Sequence, residues 1–183
     1  MQAPSGQRTP PELQALLAGG TLAGDWVLAP GRSSVRLKSK VLGLVPVHGV
    51  FREVSGTGAI SADGEVSGTL TVAAASIDTK NTRRDTHLRS ADFFDSGNHP
   101  DITFTVDGIR PSDRAVAVTG ALTVRGCRRP LSFAAAASAQ GDGEIWLDAE
   151  VHINRADFGL TWNLLGTTSM HNALTIHAVF TRR

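Results

Sequence analysis

A chain of 183 residues with 18 basic and 17 acidic side chains and a net charge of +1 suits one domain with a sizeable core. The balanced charge argues against a dedicated nucleic-acid binder, which shows a basic excess or stripe. One cysteine, Cys127, excludes an intrachain disulfide framework, and no run approaches the roughly 18 apolar residues of a membrane helix.

The N-terminal ten residues are polar and Pro-rich and read as a loose arm. Their lack of a basic n-region and of an h-region predicts a chain that stays in the cytoplasm. Glu12 to Ala18 can form two helical turns, with Leu13, Leu16 and Leu17 on one face and Gly19-Gly20 as the stop. We therefore divide the chain into an extension, 1–24, and a main domain, 25–183.

From Asp25 the pattern is of strands. Trp26 to Leu28 is the first, ended by Pro30-Gly31. In Ser34 to Val41, Val35, Leu37 and Val41 face one way and Arg36, Lys38 and Lys40 the other, the period-2 signature of a half-buried strand. Val45 to Ile60 is one long strand or a bent pair, and Ala62-Asp63-Gly64 is a turn. Glu65 to Ser76 places Val66, Leu70, Val72 and Ala74 on one face. Further on, Ile102, Phe104 and Val106 oppose Thr103, Thr105 and Asp107. A turn over 111–114 leads to Val116, Val118, Leu122 and Val124 on one face. Leu131 to Ala139 follows. In Glu144 to Ile153 the residues Ile145, Leu147, Ala149, Val151 and Ile153 face in, and the last strand, Ala173 to Phe180, turns in Leu174, Ile176, Ala178 and Phe180. Near-regular strands in this number predict an all-β fold, an antiparallel sandwich or barrel.

The alternation stops between Ser76 and Pro100. Thr82 to Ser90 reads as a short inserted helix capped by Asn81 or Thr82. Asp85 is placed to reach back to Thr82 as in a capping box, and to share a face with Arg89 in the favourable order. Leu88, Phe93 and Phe94 form an apolar plug, suited to a lid or floor of a barrel. The inward faces hold many small residues: Gly68, Ala74, Gly120, Ala135, Ala137, Ala149 and Ala178. Two interpretations fit them equally, a barrel hollow enough for a ligand and a tapered barrel packed solid at crowded layers.

Several runs then carry a resemblance. Ser76-Ile77-Asp78-Thr79, Arg84-Asp85, His87-Leu88-Arg89-Ser90, Asp92-Phe93-Phe94-Asp95 with Pro100, Ile102-Thr103-Phe104, Gly120 to Gly126, and Asn154-Arg155-Ala156-Asp157-Phe158-Gly159 occur in that order. Together they resemble the signature of the YceI-like family over about Asp25 to Phe180. The resemblance implies a lipocalin-like, eight-stranded antiparallel barrel around an elongated apolar tunnel. It implies a ligand such as a polyisoprenoid, a polyprenyl phosphate, an isoprenoid quinone or another long-chain lipid. It also marks Arg155 and Asp157 as a structural pair fastening a corner.

The expected tunnel lining is Val35, Leu37, Leu70, Val72, Leu88, Phe93, Phe94, Phe104, Val116, Val118, Leu122, Leu147, Leu174 and Ile176. Lys80, Arg83, Arg84 and His87 are the head-group candidates: the first three cluster at a helix N-terminus, where backbone N–H groups and the dipole favour an anion, and His87 on the same helix can hydrogen-bond a quinone or phosphate oxygen. Lys80, Arg83 and Arg84 also read as a solvated basic turn, and His87 with Asp92 as a tie to the rim. The six histidines show no HxxxH or HExxH spacing, so no metal and no cofactor is expected. Cys127 lies among arginines that favour a thiolate, or is an ordinary turn residue. No nucleophile motif is present, so a binding and carrying role without chemistry is the leading expectation. An enzyme acting on a bound lipid, and a ligand-free structural or partner-binding barrel, are the rivals. The apolar connection Leu160 to His171, with Trp162, Leu164, Leu165 and Met170, can gate the tunnel, form a homodimer surface or pack on the barrel.

Overall fold

The computed structural model describes residues 10–112, 115–163 and 166–183. The arm before Pro10, part of the expected turn (Asp113, Arg114), and Leu164 and Leu165 of the apolar connection lie outside the described residues.

The strands are β1 (Gly24–Leu28), β2 (Ser34–Val41), β3 (Val45–Phe51), β4 (Val54–Ile60), β5 (Val66–Ala73), β6 (Ile77–Asp78), β7 (Asp101–Pro111), β8 (Val116–Val124), β9 (Cys127–Gln140), β10 (Glu144–Asn154) and β11 (His171–Arg182). Every pairing is antiparallel. They build an eight-stranded closed barrel because three of the eight staves are interrupted. β1 and β2 lie end to end along β11, through Leu28↔Phe180 and Leu37↔Leu174. β4 and β3 continue beside them, and β5 and β6 come next. From β5 onward the barrel is a plain meander, and β11 closes it on the first stave. The breaks fall where the chain cannot hold a ladder: a 3₁₀ turn at Pro30–Arg32, where proline lacks a donor, the bend at Arg52-Glu53, and a 3₁₀ turn at Ala74–Ser76. The expected long Val45 to Ile60 element is thus the bent pair β3 and β4.

A helix closes each end. α1 (Pro10–Ala18) stops at Gly20, which adopts a left-handed φ of 70° while its N–H bonds Leu17 O and the Thr21 N–H bonds Leu16 O. Leu13, Leu17 and Leu22 are buried against the barrel floor, and Trp26 Nε1 donates to Leu22 O at 3.0 Å. Arg182 holds the same segment by donating to the carbonyls of Thr21 and Ala23. Leu17→Ala should cost about 2–3 kcal/mol, measured as a lower denaturation midpoint at unchanged slope, because the floor loses one of its covering side chains.

α2 (Thr82–Arg89) closes the other end. Asn81 is its N-cap, accepting from Arg84 N at 3.0 Å. The expected capping box does not form. With Asn81 serving the helix, Asp85 is buried and accepts from Thr79 N at 3.0 Å and Thr79 Oγ1 at 2.6 Å. Arg89 does not pair with Asp85 either; its guanidinium donates to the carbonyls of Ala75 and Ile77. Both side chains bolt the helix to the backbone of the broken third stave, Arg89 at Ala75 in its 3₁₀ turn and at Ile77 in β6, Asp85 at Thr79 just beyond.

Candidate functional site: a cavity along the barrel axis

The barrel is hollow. A cavity of about 760 Å³ runs inside it beneath α2, and a smaller one of about 100 Å³ lies over α1. Leu70, Val106, Ile109, Leu147 and Phe180 line both and form the partition between them. At roughly 30 Å³ per water-sized group, the main cavity has room for about 25 heavy atoms.

Both interpretations of the small residues hold, at different positions. Ala135, Ala149 and Ala178 line the main cavity and help to leave it open. Gly120 and Gly68 sit at crowded layers instead: a Cβ on Gly120 would meet Thr105 O at 2.1 Å and Phe104 Cζ at 2.7 Å, and one on Gly68 would meet Thr57 O at 2.6 Å.

Of the expected lining residues, Val35, Leu37, Leu70, Val72, Leu88, Phe93, Phe94, Phe104, Val118, Leu122, Leu147, Leu174 and Ile176 all border the main cavity. Val116 does not; it lies one layer lower and faces the small cavity with Leu13 and Leu17. Ile109 was not anticipated. The register shifts between Val106 and Gly108, so Asp107 is an extra residue and the inward phase moves from even to odd numbers. Asn172 also falls outside the sequence reading, because β11 starts two residues earlier than its apolar pattern suggests.

The wall is amphiphilic along its length. Its polar residues, Ser39, Thr79, Asn81, Arg83, Arg84, His87, Arg155, Thr168 and Asn172, come from α2, the approach to it, and the strand ends and connection beside it. Toward the floor the lining is hydrocarbon.

Among the head-group candidates, Arg83, Arg84 and His87 border the cavity and Lys80 does not. Lys80 points away and pairs with Asp78 at 3.3 Å. Arg84 is engaged, its Nε and Nη2 donating to Thr79 Oγ1 and Thr79 O at 2.7 and 2.9 Å. Arg83 is exposed at the rim, and among the described residues no hydrogen bond or ion pair is assigned to it. His87 Nε2 lies 3.2 Å from Asp92, and its ring stands edge-on to Trp162 at 4.3 Å and Phe93 at 5.2 Å. These rings lid the cavity beside α2.

The hydrogen bond from Lys80 N and the Arg52 guanidinium hold the Asp78 carboxyl down to about 2. A carboxylate depressed in the fold contributes stability that is full above its unfolded value, near 3.8, and lost as pH falls toward 2. Asp78→Asn should flatten that part of the acid unfolding curve, followed by circular dichroism between pH 4.5 and 2.

Arg155 departs most from expectation. It makes no ion pair with Asp157, whose backbone carbonyl instead accepts from Cys127 Sγ at 3.5 Å and Arg129 Nε at 3.1 Å. Cys127 opens β9 half-buried. The Arg155 side chain turns inward and is 4% exposed. It donates to Ser169 O, Leu160 O and Trp162 O, at 3.0, 2.5 and 2.9 Å, and lies 5.4 Å over the Phe93 ring. It thus fastens the chain after β10, and it also lines the cavity. Burial pushes its pKa down from the ordinary arginine value, though a guanidinium keeps its proton.

The large apolar side chains most exposed among the described residues are Leu44, Leu42, Val45 and Trp162, at 85, 65, 54 and 36%. All stand at the α2 end. Leu42 N donates to Thr167 O, and Val41 and Thr168, which bridge, line the cavity beside them. No described helix is long and apolar enough to cross a membrane. Among the described residues no group of three or more His, Cys, Asp or Glu is gathered as for a metal ion.

The profile of the YceI-like domain matches residues 26–181. The chain belongs to the YceI-like family. It is 30% identical to Protein YceI of Escherichia coli O6:H1 over 157 residues, covering 80% of this chain and 82% of that one. The barrel superposes on Burkholderia cenocepacia BcnA with a TM-score of 0.75 at 23% identity, covering 83% of this chain and 98% of that one. It also superposes on a polyisoprenoid binding domain from Saccharophagus degradans with a TM-score of 0.70 at 17% identity, covering 86% and 98%. The YceI-like match begins after α1, so the helix that seals the floor lies outside the matched region.

Proposed function

We propose that this chain binds one long amphiphile of isoprenoid type, tail down the barrel axis and head at the α2 end, and carries it without chemical change. The observation that carries this reading is the 760 Å³ apolar cavity whose polar residues gather at one end. The polyisoprenoid binding named for the Saccharophagus degradans neighbour supports it. A C20 tail at about 0.8 kcal/mol per buried carbon gives about 16 kcal/mol gross. An association cost of roughly 8 kcal/mol leaves about 8, a micromolar dissociation constant. Arg83, Arg84 and His87 meet the head as it enters, and Lys80 adds only long-range charge.

The apolar rim favours carrying over storage. Leu42, Leu44, Val45 and Trp162 beside the opening can rest on a lipid surface, with Lys40 and Arg83 nearby for anionic head groups. Leu42→Ser with Leu44→Ser should slow lipid uptake from vesicles while uptake of lipid added from ethanol keeps its rate.

Titration with parinaric acid, a polyene fatty acid whose emission rises in an apolar site, and displacement by geranylgeraniol test the reading. Saturable one-to-one binding with displacement is expected. An intact barrel that takes up neither compound would overturn it.

A further inference from the structure

Three buried side-chain polar atoms lack a hydrogen-bond partner among the described residues: Gln140 Nε2, Arg155 Nη2 and Asn172 Oδ1. The last two belong to residues on the wall of the main cavity. Ile153 pairs with Asn172, and Arg155 N continues the ladder by donating to Met170 O. Arg155 and Asn172 are therefore diagonal neighbours on the inward face, and side chains of this length can turn toward one shared ligand.

We propose that Arg155 and Asn172 form an internal seat for an oxyanion, the carboxylate or phosphate monoester at the head of the long-chain amphiphile; this rests on the binding role proposed above. Charge decides the class. A buried guanidinium stays protonated, and a buried charge is normally paired. The acidic side chains of the described ion pairs and His–carboxylate contacts meet Arg32, Arg52, Lys80 and four histidines, not Arg155. Three backbone carbonyls and the Phe93 face supply partial negative charge only. An oxyanion would neutralise the guanidinium and accept from the spare Nη2. It would also accept from the Asn172 amide, whose two ends exchange by a half-turn. An alcohol or a single water would fill the hydrogen bond and leave the charge uncompensated. The entrance arginines then serve as a relay, drawing the anion in before it settles behind the Phe93–Trp162 lid, whose rings are 5.5 Å apart.

Three ligands with one tail test this: geranylgeraniol, geranylgeranoic acid and geranylgeranyl monophosphate, titrated into the full chain. The acid or the monophosphate, whichever the seat admits, should bind roughly tenfold or more tighter than the alcohol, as for a hydrogen bond to a charged group. Asn172→Leu, a change of similar volume on a rigid strand, should lower that ratio severalfold by removing one donor while the Arg155 charge remains. Arg155→Gln should bring it to about one if it folds; the severalfold drop in Asn172→Leu decides the matter if it does not. Equal binding of all three ligands would overturn the seat and leave the cavity reading standing. So would an anion preference that survives Asn172→Leu but disappears in Arg83→Ala, which would put the anion at the entrance. Failure of all three to bind would overturn the cavity reading itself.

Discussion

Leu70→Trp and Val118→Trp are expected to abolish binding of a C20 lipid while the barrel stays folded. Both side chains face the main cavity from different staves, and Leu70 also stands in the partition above the floor. An indole placed there enters empty space, not a filled core, so the usual overpacking penalty of about 1–3 kcal/mol is largely avoided. The tail loses room instead. Excluding only four methylene-sized groups removes about 3 kcal/mol, roughly a 200-fold loss in affinity. Binding is read by displacement of the fluorescent probe and folding by the thermal midpoint. Wild-type affinity in both variants would mean that the lipid lies elsewhere.

Gly120→Ala should do the opposite, unfolding the barrel with little direct bearing on the ligand. The added carbon would stand 2.1 Å from Thr105 O and 2.7 Å from Phe104 Cζ. Thr105 O cannot retreat freely, since it belongs to the β7–β8 ladder, where Val106 pairs with Gly120 and Thr105 with Ala121. Phe104 is held by Phe133, at 5.3 Å between ring centroids. The expected cost exceeds about 3 kcal/mol, in the range reserved for severe core clashes, seen as a collapse of the urea midpoint or loss of soluble protein. A midpoint within about 0.5 kcal/mol of wild type would show that this layer is looser than its geometry indicates.

Strand alternation made most of the barrel legible. Ser34 to Val41 has the bounds read from its pattern, and the apolar faces of Glu144 to Ile153 and Ala173 to Phe180 point inward as their periodicity requires. The misses have local causes. Ile109 was hidden by the bulge at Asp107, because one extra residue reverses which parity faces in. Val116 kept the right face but lies too near the floor, and alternation carries no information about height along the axis. Asp85 was assigned to Thr82 by spacing, whereas the tertiary position of Thr79 offered two donors to one carboxylate oxygen. Composition and alternation did not tell whether the barrel is hollow; that expectation came only from the family resemblance. Alanines at 135, 149 and 178 border open space while Gly120 is pressed against a ring and a carbonyl, and composition cannot separate the two. The inward turn of Arg155 was equally hidden, for the resemblance paired it with Asp157 at a corner and said nothing of which way its side chain points.

Native mass spectrometry of the protein purified from its own host, followed by organic extraction, tests the central claim most directly. The account predicts one stoichiometric adduct that extracts as an amphiphile with a tail of about twenty carbons, the length that room for about 25 heavy atoms allows. A folded barrel that carries the mass of the bare polypeptide, and still shows no adduct after incubation with C20 prenyl lipids, would contradict it.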